Sequence, residues 1–238
     1  MDSSSPQQGE ALAAVRRVDY AGQGLVEAEV AASPHVQAQA WIEQAVAAAR
    51  ERDDVPEPTA LSVATVDAAG GANVRTVLMR FFDERGPGFV TNLESTKSVE
   101  IEARPRIAAA LTWPALYRSI RFRGTAHLIE RDEVTRYFDS RPYGSRLSAW
   151  ASDQSRPAAD RAALEAAWQA ALDRFPDTGE DAVPVPDFWG GWRIECDEVE
   201  FWAGRSNRLH DRIVFTRAAG SSADLADAGA WTRSRRQP

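Results

Sequence analysis

Three short stretches carry most of the side chains able to do chemistry. Arg208-Leu209-His210-Asp211-Arg212 sets two guanidiniums around an imidazole. On a β-strand, whose side chains alternate between faces, Arg208, His210 and Arg212 share one face and form an anion site. The same pattern fits a solvated strand face. Tyr137 and Arg141 stand four apart, the spacing that puts two side chains on one helix face, and Ser145 follows just past Pro142 and Gly144. A phenol, a guanidinium and a hydroxyl together hold phosphate oxygens well. An exposed helix end running into a turn would use the same residues. The third stretch is Arg75-Thr76-Val77-Leu78-Met79-Arg80. Arg75 and Arg80 differ in parity, so a regular strand sends them to opposite faces. They serve one ligand only if the strand bulges or the ligand wraps an edge.

Trp189, Trp192 and Trp202 cluster in sequence around Gly190-Gly191 and ahead of the Arg/His stretch. Aromatics at strand spacing either fill a core or wall a planar cofactor. Cys196 is the single cysteine and reads as a small buried residue rather than a nucleophile. His35 and His127 read as surface or structural residues. One cysteine and three histidines with no ligand-like spacing leave no expected metal site.

The elements that must position these groups follow from periodicity. Ser33-Pro34 starts a helix, with Trp41, Ile42, Ala45, Val46 and Ala49 on its apolar face. Residues 61–66 alternate and are β-branched, hence a strand. Residues 74–82 form its partner across Ala69-Gly70-Gly71, and Gly86-Pro87-Gly88 turns into a further strand through Asn92. A short helix is predicted over 95–103, a strand pair over 107–113 and 119–129, and a helix over 132–140. Residues 157–175 read as a helix whose stripe is Leu164, Trp168, Leu172 and Phe175. Separate strands are predicted over 191–195, 199–202 and 208–216, with a last one after Trp231. Seven or eight hairpin-connected strands with three or four helices disfavour a parallel doubly wound sheet. They predict a mainly β, α+β fold: an antiparallel barrel or strongly bent sheet with peripheral helices. Residues 1–14 read as a flexible tail and residues 15–238 as one domain.

Composition bounds the function class. In 238 residues, a hydrophobic share of 44% and a charged share of 26% exclude wholesale disorder. A net charge of −7 argues against a nucleic-acid or anionic-membrane partner. No apolar run approaches the roughly 20 residues of a membrane span. The lone cysteine and the absence of a secretory leader predict a cytoplasmic location. No P-loop, G-x-G-x-x-G, G-x-S-x-G or H-E-x-x-H motif is present.

Five segments in order and spacing resemble the pyridoxine/pyridoxamine 5′-phosphate oxidase family. They are Tyr137-Phe138-Asp139-Ser140-Arg141-Pro142, Ala149-Trp150-Ala151-Ser152-Asp153-Gln154-Ser155, Phe188-Trp189-Gly190-Gly191, Val199-Glu200-Phe201-Trp202 and Arg208-Leu209-His210-Asp211-Arg212. The resemblance runs from about Arg17 to Pro238. It implies an FMN-binding split β-barrel and a homodimer with FMN at the interface. The implied activity oxidises a phosphorylated B6 vitamer, pyridoxamine or pyridoxine 5′-phosphate, to pyridoxal 5′-phosphate while O2 becomes H2O2. It further implies flavin contacts at Arg75, Thr76, Val77, Leu78, Met79, Arg80, Val90, Thr91, Thr96, Lys97, Ser119, Gln154, Ser155, Trp202 and Arg212. Substrate phosphate falls to Arg80, Tyr137, Arg141 and Ser145, and the substrate ring to the catalytic pair Arg208 and His210. Arg17 and Tyr20 match an N-terminal segment that folds over the active site. The chain departs from the family pattern at several positions. Arg80 stands for a usual Lys, Thr96 for an Arg, Ser119 for a Gln and Val90 for a Tyr, and the usual Arg-Leu-x-Pro ending reads Arg235-Arg236-Gln237-Pro238. Two other functions compatible with these changes are a flavin oxidase of the phenazine-precursor type and a non-catalytic binder of flavin or pyridoxal phosphate.

Overall fold

The computed structural model describes residues 19–179 and 183–238. The 1–14 tail and Arg17 lie outside the described residues. The chain order is α1 (Pro34–Glu51), β1 (Ala60–Val66), β2 (Ala72–Leu78), β3 (Phe81–Asp83), β4 (Gly86–Asn92), α2 (Thr96–Ala103), β5 (Arg106–Trp113) and β6 (Arg118–Leu128). Then come α3 (Arg131–Asp139), α4 (Tyr143–Ala151), α5 (Arg161–Arg174), β7 (Trp189–Ala203), β8 (Asp211–Arg217) and β9 (Trp231–Arg235). Among the described residues no helix is long and apolar enough to cross a membrane.

All nine strands belong to one antiparallel sheet. Its path runs β2-β1-β5-β6-β7-β4-β3, and β8 joins β7 with β9 beyond it. The two ends of that path, β2 and β3, are neighbours in the chain. Only Met79 and Arg80 separate them. The Met79 N–H donates to the Thr59 carbonyl on the β1 side at 2.9 Å, and the Arg80 N–H donates to Gly88 in β4 at 2.8 Å. Consecutive residues thus pair with opposite ends of the sheet, and the sheet curls into a split barrel. The expected single strand over 74–82 is therefore two, broken where the chain changes partners.

The barrel interior holds the main core. Leu61, Val63, Leu111, Ile120, Phe122, Val199, Phe201 and Ile213 are all fully buried. α1 closes one opening. Ser33 caps it, its Oγ accepting from the Val36 N–H at 3.4 Å; of the predicted face Trp41, Ile42 and Ala45 are buried and Val46 and Ala49 partly so, and Ala38 joins them. A smaller core lies under α3, α4 and α5, built on Val134, Phe138, Leu147, Ala149, Ala171 and Trp189.

Four further expectations are corrected. The strands over 191–195 and 199–202 are one strand, β7. It carries a bulge at Asp197, where the register steps from Arg123↔Glu198 to Gly124↔Cys196. The bulge lets a strand of 15 residues bend enough to pair with β6 along one side and with β4 and then β8 along the other. The strand over 208–216 begins only at Asp211. Asn207 and Arg208 have φ of 56° and 62°, so they form a tight left-handed turn. α4 was not expected, because Gly144 and Ser145 read as a turn; Pro142 instead precedes the helix, and Leu147 and Ala149 bury it. In α5 the stripe fails at its first half: Leu164 and Trp168 are exposed, and among α5 residues only Ala171 is buried. Cys196 is wholly buried and unpaired, and burial pushes its thiol well above the ordinary range.

Candidate active site

A cleft of about 630 Å³ lies along β2. That size is ordinary for a small-molecule site, roughly 300–1,000 Å³. β2 is an edge strand, and Arg75, Thr76, Val77 and Leu78 all line the cleft although their side chains alternate. Arg80 lies past the end of β2, where the chain changes partners, so it reaches the same space as Arg75 although a regular strand would send the two to opposite faces. Val90 and Thr91 of β4 form the floor, and Thr96 and Lys97 enter from the first turn of α2. Gln154 and Ser155 come from the turn after α4, where Ser155 has φ of 72°. A side chain held in that left-handed region costs about 1–2 kcal/mol. Tyr137, Arg141 and Trp189 complete the wall.

Among the described residues, four cations, Arg75, Arg80, Lys97 and Arg141, line this cleft and no carboxylate does. Lys97 is buried. Its Nζ donates to Thr91 Oγ1 at 2.9 Å, Ser95 Oγ at 3.1 Å and the Gln154 amide oxygen. All three partners are neutral, so burial, helped by the Arg75 charge, lowers its pKa to about 8. Arg141 lies over the Trp189 ring at 4.8 Å and the Phe138 ring at 5.6 Å. Its Nη1 and the Trp189 Nε1 are buried without a hydrogen-bond partner. Burial lowers the Arg141 pKa, and the Arg80 charge adds to this against the opposing effect of Tyr137. Buried donors left unpaired cost roughly 1–3 kcal/mol each. The cleft is thus short of anionic oxygen, the kind of group a phosphate carries. The start of α2 adds the positive end of its helix dipole.

Glu100, missed in the sequence, orients Arg75. Its carboxylate accepts from Arg75 at 3.0 Å, Asn73 Nδ2 at 3.0 Å and Thr65 Oγ1. Burial pushes the Glu100 pKa up, but these donors outweigh it and hold it low. The available signal was position: Glu100 lies three residues after Lys97 and beside Ile101, on the inward face of α2.

The remaining predicted residues lie elsewhere. Met79 is buried in the core, and Ser145 sits in the first turn of α4, outside the cleft lining. Ser119, Trp202 and Arg212 form one cross-strand row over β6, β7 and β8. The Ser119 Oγ donates to the Leu111 carbonyl at 2.9 Å. Arg212 clasps Glu200 through Nε at 3.0 Å and Nη2 at 2.9 Å. His210 packs 4.8 Å from Trp202, and Tyr20 meets both rings edge-on at 5.2 and 5.9 Å. Arg208 belongs to the turn just before, not to a strand face. None of these residues lines the cleft of its own chain.

A split barrel with a cationic cleft along its edge strand is a fold and site suited to a small anionic ligand. Comparison with known proteins is more specific. A model of the pyridoxamine 5′-phosphate oxidase family matches residues 42–174, and one of the pyridoxine 5′-phosphate oxidase C-terminal dimerisation region matches residues 189–238. The chain is 46% identical to a pyridoxine/pyridoxamine 5′-phosphate oxidase of Kineococcus radiotolerans, over 94% of this chain and 97% of the relative. It is 43% identical to that of Herminiimonas arsenicoxydans, over 93% and 97%. The chain therefore belongs to the pyridoxine/pyridoxamine 5′-phosphate oxidase family. Among solved structures it is similar to PhzG from Burkholderia lata 383 in complex with tetrahydrophenazine-1-carboxylic acid. The TM-score is 0.77 at 28% identity, covering 91% of this chain and 99% of that one. A pyridoxamine 5′-phosphate oxidase-related, FMN binding protein of Nostoc punctiforme PCC 73102 shares the fold. Its TM-score is 0.62 at 17% identity, over 83% of this chain and 97% of that one.

Proposed function

We propose that this chain is an FMN-dependent oxidase that converts pyridoxamine or pyridoxine 5′-phosphate to pyridoxal 5′-phosphate, reducing O2 to H2O2. The observation that carries the proposal is Arg141: a half-buried guanidinium with an unpaired Nη1, beside Tyr137 and Arg80, in a cleft without carboxylates. A substrate bearing phosphate satisfies that group. FMN fits the cleft on the same grounds, since Lys97 and the start of α2 lack an anionic partner. In this reading Arg75, Lys97, Thr91, Gln154 and Ser155 hold the flavin phosphate and its chain. Tyr137, Arg141 and Arg80 hold the substrate phosphate. When bound, the flavin supplies the two-electron oxidising power and the path to O2.

The second group completes the site from a second copy of the chain. Trp202, Arg212, Arg208 and His210 sit within the segment that matches the dimerisation region. Arg208 and His210 orient the substrate ring, and Trp202 and Arg212 close on the flavin. A homodimer with two such sites, each with its own FMN, follows. Its buried, unpaired Cys196 agrees with a cytoplasmic enzyme.

A second reading has one specific support, the likeness to PhzG. It makes the substrate a reduced tricyclic carboxylic acid, which leaves Arg141 and Tyr137 without a phosphate. One spectrum separates the readings. The protein is mixed anaerobically with FMN and pyridoxamine 5′-phosphate, and air is then admitted. Bleaching that recovers in air with stoichiometric peroxide supports the B6 oxidase. Bound flavin that bleaches only with the tricyclic acid gives the second reading. Bound flavin that neither bleaches overturns both and leaves a binding protein.

A further inference from the structure

Two segments nearly 190 residues apart in sequence meet at one carboxylate. Asp211, the first residue of β8, is buried, at 7% exposure. Its Oδ2 accepts from the Leu25 N–H at 2.8 Å and from Arg205 Nε, and its Oδ1 accepts from Arg235 Nη1. Arg235 reaches on to the Glu27 carboxylate at 2.7 Å and to the Leu25 carbonyl at 3.0 Å. Gly24 lies against this cluster with φ of +77°, where a Cβ would overlap Arg205 and Asp211. Gly22 packs on Gly204 so closely that a Cβ would stand 2.5 Å from its carbonyl oxygen. The segment over residues 20–27 is thus strapped to the loop before β8, and Asp211 is the buckle.

Both strapped pieces converge on His210. From the strap, the Tyr20 ring packs edge-on at 5.2 Å. From the loop, the Arg205 backbone N–H donates to His210 Nδ1 at 3.1 Å. An imidazole that accepts at Nδ1 carries its proton on Nε2, so the loop sets its tautomer as well as its direction.

We propose that Asp211 is the positioning residue for His210. By tying residues 20–27 and the Arg205 loop to β8, it fixes which nitrogen His210 presents and where. Asp211 itself faces Leu25, Arg205 and Arg235 and touches no reacting group. The proposal rests on the reading of His210 as a substrate contact.

The test uses the holoenzyme and Asp211→Asn, which keeps the shape and removes the charge that holds two arginines. Side-chain ¹⁵N–¹H correlation spectra resolve three imidazoles, those of His35, His127 and His210. The variant is expected to shift His210 away from the Nε2–H pattern and to leave the other two in place. With pyridoxamine 5′-phosphate its kcat/KM is expected to fall roughly tenfold or more, as misplacement of a contact group does, while FMN affinity changes less than about threefold. A lower melting temperature with the His210 resonance and kcat/KM both unchanged makes Asp211 a purely structural residue and overturns the proposal. A shifted resonance with unchanged kcat/KM overturns it too. If the wild-type enzyme fails to turn over pyridoxamine phosphate, the B6 reading falls, while the His210 spectrum still decides whether Asp211 sets the ring. Should Asp211→Asn not fold, Arg235→Gln loosens only the strap side and is expected to move the same readouts in the same direction by less.

Discussion

Lys97 makes the sharpest residue-scale prediction. Its pKa of about 8 arises because burial removes water and no anion replaces it. Bound phosphate restores the charged form, so FMN binding takes up a proton wherever free Lys97 is partly neutral. The sign follows: affinity is fully present below pH 8 and weakens as pH rises above it, by up to about tenfold per unit. Titration calorimetry in buffers of different ionisation enthalpy should find proton uptake at pH 8.5 and little at pH 6.5. Lys97→Met should bind more weakly and lose the slope; a Kd flat from pH 7 to 9 in the wild type rejects the account. Arg141→Ala tests the neighbouring function. A charge-assisted hydrogen bond is worth about 1.5–3 kcal/mol, so KM for the phosphorylated substrate should rise roughly 10- to 100-fold. Flavin content should stay near one per chain, and an unchanged KM removes Arg141 from the phosphate site. At this scale the sequence was readable by type. Arg75, Tyr137 and Arg141 stand out as anion-binding types, Lys97 comes only with the family resemblance, and all four line one cleft. Glu100 was not readable, because a helix-borne glutamate looks solvated until α2 is packed against β1 and β2.

At the scale of elements, the bend of β7 is the feature on which both halves of the proposed site depend. Its first half pairs with β4, which floors the cleft, and its second half with β8, which carries Arg212. The bulge at Asp197 needs a glycine opposite. A Cβ on Gly124 would overlap the Glu195 carbonyl and come within 2.8 Å of Cys196 Cα, all rigid backbone. Gly124→Ala should therefore destabilise the fold by about 1–3 kcal/mol, measured by urea unfolding. A wild-type midpoint would mean that the bulge relaxes freely. Local periodicity found most elements because alternation and helix caps are local signals. It missed the bulge, the break at Met79–Arg80 and the left-handed turn at Asn207–Arg208, which are set by partners distant in the chain. The Arg208/His210/Arg212 stripe failed for that reason. Its period was sound, but the strand it required starts at Asp211 because Asp211 is held from outside by Leu25, Arg205 and Arg235.

At the scale of the molecule, the proposed division of the site between two copies makes its own prediction. The outer face of β6, β7 and β8 carries Glu198 and Glu200, both buried; Arg121 and Arg236 bridge them, and Arg212 clasps Glu200. Trp202 and Arg212 lie on this face, while the cleft runs along the far edge of the same sheet. If the cleft of one copy takes its closing face from the other, two different defects can complement each other. One variant, Lys97→Met with Arg141→Ala, spoils the cleft and keeps the face. The other, Trp202→Ala with His210→Ala, spoils the face and keeps the cleft. Each alone should be nearly inactive. Unfolded together in equal amounts and refolded, half of the dimers pair one of each. In a mixed dimer one site receives both defects and the other receives neither. Activity should therefore recover to about a quarter of wild type, as two-fold symmetry requires. The recovery should depend on refolding together, since simple mixing leaves the subunits paired with their own kind. A site built wholly within one chain predicts no recovery under either condition, because no pairing of the two variants would then give an intact cleft with an intact face.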